Sequence, residues 1–267
     1  MPTRTAILAG YGHLPQMIAK ALGDAIFVTF DGVDVDVPAG DHLPASFEKL
    51  GGLFKGLRAQ GVSDVVFAGA MSRPALNPLK FDTKTMAIMP RLMKAMGQGD
   101  DALLRAIIAV FEAEGFNVRA AQEIAPSLVL GAGVVKGRAA SQGELDDAGR
   151  AYDILTALSP QDVSQGAVVE QGQCLGIETL QGTDALLQFV SETPARLRRG
   201  KKGVFVKTAK VGQDMRVDVP TIGPNTVRGV VQAGLAGMFI TAGGAIVLEQ
   251  EKVFSLIEKH GLFLIAR

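Results

Sequence analysis

The chain has 267 residues, 48% hydrophobic and 20% charged, with Lys+Arg 27 against Asp+Glu 27. It is long and apolar enough for one large α/β domain or two smaller ones. The zero charge balance argues against a nucleic-acid partner held by a broad basic field. The single cysteine, Cys174, excludes an internal disulfide framework and a cysteine-built zinc cage, and points to a reducing cytoplasm. No window approaches about eighteen consecutive apolar residues, and the apolar run near the N-terminus is too short for a signal peptide, so a soluble protein is expected.

Along the first half, strand and helix patterns alternate. Ala6–Ala9 reads as a strand, Leu14–Leu22 as a helix opened by Pro15, and Ile26–Phe30 as a second strand. A helix over Phe47–Gln60, a strand over Val65–Ala68, helices over Thr83–Met96 and Asp101–Glu114, and a strand near Phe116–Val118 follow. Strands separated by helices predict parallel pairing, here a Rossmann-like doubly wound sheet over residues 1–130. The glycine-rich stretch Gly131–Ser141 breaks the periodicity and reads as a linker over 131–141.

Residues 142–267 are patterned as a mixed α/β catalytic domain. A helix near Glu144–Ala157 precedes a hairpin, Ala167–Glu170 and Cys174–Glu178 about Gln171-Gly172. Thr183–Leu197 reads as helix, Gly203–Lys207 as strand and Thr226–Ala233 as helix. A second hairpin is expected from Met238–Thr241 and Ala245–Glu249 about Gly243-Gly244, then a helix over Glu251–Lys259 and a strand over Leu262–Ile265. Two lobes result, and ligands of such proteins usually bind in the cleft between them.

Several segments carry residues suited to anion chemistry. Gly10, Tyr11 and Gly12 follow the first strand and open the first helix, where unpaired N–H groups meet an anion. Pro15 stands where the dinucleotide fingerprint has its third glycine, so Asp31 only imitates a ribose-binding acid and NAD is disfavoured. Met71, Ser72 and Arg73 follow the third strand, which in an open parallel sheet can end beside the first. Met86, Met89, Met93 and Met96 form one helical stripe, read first as core and alternatively as a lining for acyl chains. Thr183 reads as a helix N-cap with Asp184 in the first turn; functionally, Thr183 could bind phosphate while Glu178 or Asp184 holds a metal.

The densest chemistry lies in Lys207–Pro224, KTAKVGQDMRVDVPTIGP. An apolar strand ends there in turns carrying Lys207, Gln213, Asp214, Arg216 and Asp218. Cations of this kind hold an anion, and a carboxylate holds Mg²⁺ or takes a proton from water. If Asp214 to Asp218 were extended, their backbones would lie roughly 13 Å apart, too far for one ion with ~2.1 Å bonds. Either the chain bends or the two acids have different jobs. The structural alternative is that Asp214 caps a turn and Asp218 pairs with Arg216.

Four stretches, LAGYGHLP, GAMSRP, VVEQGQCLGIETLQGTDALL and VGQDMRVDVPTIGPNTV, resemble the UDP-2,3-diacylglucosamine pyrophosphatase family of the LpxI type. The family's commoner pattern has a small residue where Tyr11 stands. The resemblance implies a two-lobed enzyme of Gram-negative lipid A synthesis that hydrolyses UDP-2,3-diacylglucosamine to UMP and 2,3-diacylglucosamine 1-phosphate with Mg²⁺ (or Mn²⁺). Catalysis is then expected from Asp218, Asp214 and Lys207, and metal binding from Asp218, Asp184 and Glu178. Gln122, Lys136 and Thr221 join Gly10, Tyr11, Gly12, Met71, Ser72, Arg73, Thr183, Gln213 and Arg216 as expected substrate contacts. A cytoplasmic enzyme in transient contact with the inner membrane leaflet is implied, and a symmetric dimer is the default expectation. The competing class is a non-catalytic protein that binds a sugar nucleotide or phospholipid, and a third is a dehydrogenase.

Overall fold

The computed structural model describes residues 4–38, 40–71, 74–133, 135–198, 200 and 202–267. Two compact units emerge: Met1–Pro126 with Asp214–Asp218, and Ser127–Gln213 with Val219–Arg267. The boundary falls just ahead of the stretch expected as linker, and the acidic segment expected in the C-terminal domain packs with the N-terminal unit.

The N-terminal unit runs β1 (Arg4–Ala9), α1 (Leu14–Leu22), β2 (Ala25–Phe30), β3 (His42–Ala45), α2 (Leu50–Ala59), β4 (Val62–Ala68), α3 (Thr83–Met96), α4 (Asp100–Ala113), β5 (Asn117–Arg119) and the short α5 (Ala121–Ile124). Its five-stranded sheet has the order β3-β2-β1-β4-β5, every pair parallel. Ala6, Ile7, Leu8, Val65 and Val66 are buried, because the central strands of a parallel sheet are covered on both faces. β3 escapes the hydrophobic pattern: it is a short edge strand containing Pro44, which an edge tolerates. The strand order reverses between β1 and β4, and the carboxyl ends of strands at such a reversal are where open parallel sheets commonly bind ligands.

The C-terminal unit runs β6 (Val135–Gly137), α6 (Gln142–Leu158), β7 (Gly166–Glu170), β8 (Gln173–Ile177), α7 (Gly182–Ser191), β9 (Val204–Lys207), β10 (Thr221–Ile222), α8 (Pro224–Gln232), β11 (Gly237–Ile240), β12 (Ile246–Val247), α9 (Gln250–Lys259) and β13 (Phe263–Ala266). Its six-stranded mixed sheet has the order β6-β13-β11-β9-β7-β8. β13, β11 and β9 are parallel; β6 and the β7–β8 hairpin run antiparallel to their neighbours. Phe205, Phe239 and Phe263 are fully buried, and a Ser141/Glu144 capping box starts α6.

The first expected hairpin is present. Gln171 and Gly172 both have positive φ, 49° and 76°, and the buried Asp147 of α6 accepts their N–H groups at 2.8 and 2.7 Å. Three expectations need correction. The stretch 131–141 contains an edge strand, because β6 supplies hydrogen bonds to β13. The second hairpin does not form: β11 is a central strand buried on both faces, and β12 pairs instead with β10 in a separate parallel pair. Helix α7 stops at Ser191, ahead of the helix-breaking Pro194.

Candidate functional site

In the N-terminal unit the two glycine turns meet at the reversal of strand order. Gly10 N–H donates to the Ala68 carbonyl (2.8 Å), and Tyr11 and Ala70 exchange backbone hydrogen bonds of 2.8 and 2.9 Å. A Cβ on Gly10 would stand 2.5 Å from the Ala70 oxygen, and one on Gly69 (φ +94°) 2.6 Å from Gly10. Only two bare backbones approach so closely. Gly12 has φ +102° with open space around it, and the Tyr11 side chain is exposed, as is Met71. His13 is the N-cap residue of α1 without a capping bond, so the helix start presents N–H groups toward this turn. Ser72 and Arg73 lie outside the described residues.

The segment Asp214–Asp218 belongs to the same unit. It is not extended: Asp214 Oδ1 accepts from the Arg216 N–H (3.0 Å) and its carbonyl from the Val217 N–H (3.3 Å), which closes a turn. The Arg216 guanidinium returns to the Asp214 carboxylate through Nε (3.0 Å) and Nη2 (2.7 Å), and Nη1 reaches Glu112 of α4 at 2.5 Å. These bonds hold the Asp214 carboxyl below the usual carboxylate range and raise the guanidinium of Arg216. Val217 is buried in the core around β1 and β4, and Gln122 Nε2 donates to the Met215 carbonyl at 2.8 Å. Asp214, Arg216 and Gln122, expected at the substrate, are thus engaged in fastening this segment. Asp218, the next residue, is exposed and adopts φ +52°, left-handed geometry uncommon for a residue with a side chain.

In the C-terminal unit, Lys207 ends β9 and is buried. Its Nζ donates to Glu178 Oε1 (2.9 Å), Glu178 Oε2 (2.6 Å) and Thr183 Oγ1 (3.0 Å), and the Thr183 hydroxyl in turn donates to Glu178 Oε1 at 3.0 Å. Thr183 therefore sits in the first turn of α7, not at its cap, which is Gln181. Glu178 reaches the lysine because Gly166 leaves room: a Cβ there would lie 2.6 Å from Glu178 Oε2. Thr208 and Thr241, at the carboxyl ends of neighbouring parallel strands β9 and β11, join their hydroxyls at 2.7 Å. Between β8 and α7 runs a groove of about 430 Å³, lined by Gly176, Ile177, Ala185, Leu186 and Phe189 together with the polar Thr179 and Gln181.

Other expected substrate residues have local partners. Gln213 Oε1 accepts from Gln165 Nε2 and from the Lys210 N–H, both at 3.0 Å; Thr221 donates to the Val219 carbonyl; Lys136 lies 4.8 Å over the Phe254 ring. The methionine stripe is not core. Thr85 and Ala95 are the buried residues of α3, with Ile88 and Leu92 packed on the core beside them, and the stripe is turned one residue outward. Met86 and Met93 are 59% and 57% exposed, which leaves a flexible apolar ridge on the surface.

Among the described residues no group of three or more His, Cys, Asp or Glu side chains is placed to hold a metal ion. Glu178 already receives the Lys207 ammonium on both oxygens, while Asp184 is exposed in the first turn of α7. Glu112 and Gly166 could not be found from sequence, since Glu112 lies 104 positions from its partner Arg216.

A parallel-sheet unit with stitched glycine turns at its strand reversal, joined in one chain to a mixed-sheet unit with a buried lysine–glutamate pair, defines a two-domain α/β protein. Residues 4–128 match the model of the LpxI N-terminal domain and residues 131–265 that of the LpxI C-terminal domain. The chain belongs to the LpxI family. It is 35% identical over 271 residues to the UDP-2,3-diacylglucosamine pyrophosphatase LpxI of Caulobacter vibrioides, covering 98% of this chain and 96% of that protein.

Proposed function

We propose that this protein is a hydrolase of lipid A synthesis that cleaves the pyrophosphate bond of UDP-2,3-diacylglucosamine, releasing UMP and 2,3-diacylglucosamine 1-phosphate. The observation that carries the reading is end-to-end similarity, through both domains, to a relative named for that activity. Water supplies the nucleophile: its oxygen bonds to one phosphorus, the bridging P–O bond breaks, and a proton passes to a base. Asp218 is our choice for orienting that water. Its exposed position and left-handed backbone fit a residue held for function, since such conformations cost of order 1–3 kcal/mol and persist where surroundings impose them.

The remaining residues take supporting roles. The Gly10–Gly12 turn and the start of α1 offer N–H groups to phosphate oxygens, with Tyr11 and Met71 exposed beside them. Lys207, held by Glu178 and Thr183, stands at the carboxyl end of β9, the end at which parallel strands bind ligands. The ridge of Met86 and Met93 and the largely apolar groove beside Phe189 are surfaces for acyl chains and for a transient stay at the inner leaflet. No described helix is long and apolar enough to cross a membrane.

In this reading a Mg²⁺ or Mn²⁺ ion carried by the diphosphate would meet the carboxylate of Asp218, the manner in which hard cations commonly bind phosphate substrates. Such an ion would supply neutralising charge at the phosphates.

The test is release of UMP from the diacylated substrate by purified protein, with and without EDTA. Asp218→Ala should lower turnover about 10²–10⁴-fold. Near-normal turnover of that variant removes Asp218 from the reaction, and turnover indifferent to chelation removes the metal.

A further inference from the structure

We propose that Gln122 and Glu112 are positioning residues that clamp the five-residue segment Asp214–Asp218 onto the N-terminal unit, so that Asp218 is held with the glycine turns and not with the C-terminal strands flanking it in sequence. The inference rests on the assignment of Asp218 given above. Residues on either side of the segment, Gln213 and Val219, belong to the C-terminal unit, so the chain enters the N-terminal unit and leaves it again within five residues. So short a piece has no core or ladder of its own and takes its position from what grips it.

The grip has three parts. Val217 is buried in the apolar core of the N-terminal unit. Gln122 of α5 donates Nε2 to the Met215 carbonyl at 2.8 Å, and its Oε1 is buried without a hydrogen-bond partner, so the amide is committed to that one bond. Glu112 of α4 takes Arg216 Nη1, while the rest of that guanidinium closes on Asp214 and fixes the turn. α5 packs against both α1 and β4, the elements that carry the two glycine turns. A bond from α5 to Met215 therefore sets the backbone three residues before Asp218 relative to the proposed phosphate site. The arginine fork on Asp214 acts at the start of the segment, the amide bond in its middle and the buried valine beside Asp218.

The experiment uses full-length Gln122→Met, Glu112→Gln and the double variant, read by steady-state UMP release and by hydrogen exchange of backbone amides. Gln122→Met keeps the volume and removes the donor; Glu112→Gln keeps the shape and removes the charge. The double variant should lose about 10–100-fold in kcat, the scale of a small misplacement of a reacting group, with KM changed little. Amides of 214–218 should exchange faster while those of β1 and β4 stay protected. Wild-type kcat in the double variant overturns the proposal, as does unchanged exchange in 214–218. If the exchange result is as expected but Asp218→Ala remains active, the clamp stands as structure, the assignment of Asp218 fails, and the positioning role falls with it. If Asp218→Ala is inactive while the double variant turns over normally, the positioning role alone fails.

Discussion

The ammonium of Lys207 lies 2.9 and 2.6 Å from the two carboxylate oxygens of Glu178, on a lysine that is 4% exposed. Neither charge can be left alone there, since removing one partner of a buried pair strands the other. Lys207→Met should therefore destabilise the protein by about 3–5 kcal/mol, while Lys207→Met with Glu178→Leu should recover most of that loss. Urea unfolding followed by circular dichroism reads both. A single variant costing under ~1 kcal/mol would mean that the pair is solvated.

Gly166 makes room for that pair. Its added Cβ would meet Glu178 Oε2 at 2.6 Å and the Phe205 ring at 3.0 Å. Because Phe205 is fully buried and the carboxylate is held by Lys207, neither neighbour yields without loss. Gly166→Ala should cost about 1–3 kcal/mol in the same unfolding measurement, the usual price of overpacking. Its lack of effect would show that Glu178 is not pressed against β7.

The two glycines of the first turn should respond differently to alanine. At Gly10 the new methyl would lie 2.5 Å from the Ala70 oxygen, in backbone tied to Tyr11 by two hydrogen bonds, so the β1 and β4 turns must part. At Gly12 there is space and only the left-handed backbone to strain, about 1–2 kcal/mol. Gly10→Ala should therefore lower stability more than Gly12→Ala. Melting of the two variants in parallel checks the order, and the reverse order would contradict the stitched turns.

Acid sensitivity should trace in part to Glu114. Hydrogen bonds from Lys84, then Arg58, hold its carboxyl below the usual glutamate range. A group depressed in the folded state contributes fully above its unfolded value, near ~4.3, and loses that contribution as pH falls through its lower folded value. Stability should thus be level on this account between pH 7 and about 5 and decline below it. In Glu114→Gln the decline between about pH 5 and 3 should be shallower. Equal slopes for the two proteins in urea titrations across that range would remove Glu114 as a contributor.

Much of the architecture is legible in the sequence, for local reasons. The strand–helix alternation to Val118 marks a parallel sheet because buried strands are continuously apolar and helices repeat near every 3.6 residues. The hairpin at Gln171-Gly172 was legible because its turn needs two residues with positive φ. Gly243-Gly244 looked equally good and was not a hairpin: a turn signal does not say with which strand an apolar run will pair, and β11 found β9 and β13.

Local patterning in the chain is enough for the fold class, the family, the placing of glycines at the ends of β1 and β4, and the concentration of charge after β9. Which charges are committed to one another was decided only by tertiary structure. Lys207 meets Glu178 across 29 positions and Arg216 meets Glu112 across 104. Periodicity and capping act within a few residues, whereas an ion pair forms wherever packing brings opposite charges together, and packing is a property of the whole chain. For the same reason a segment that reads as part of the C-terminal half, Asp214–Asp218, resides in the N-terminal unit: the buried Val217 and the amide of Gln122 draw it there.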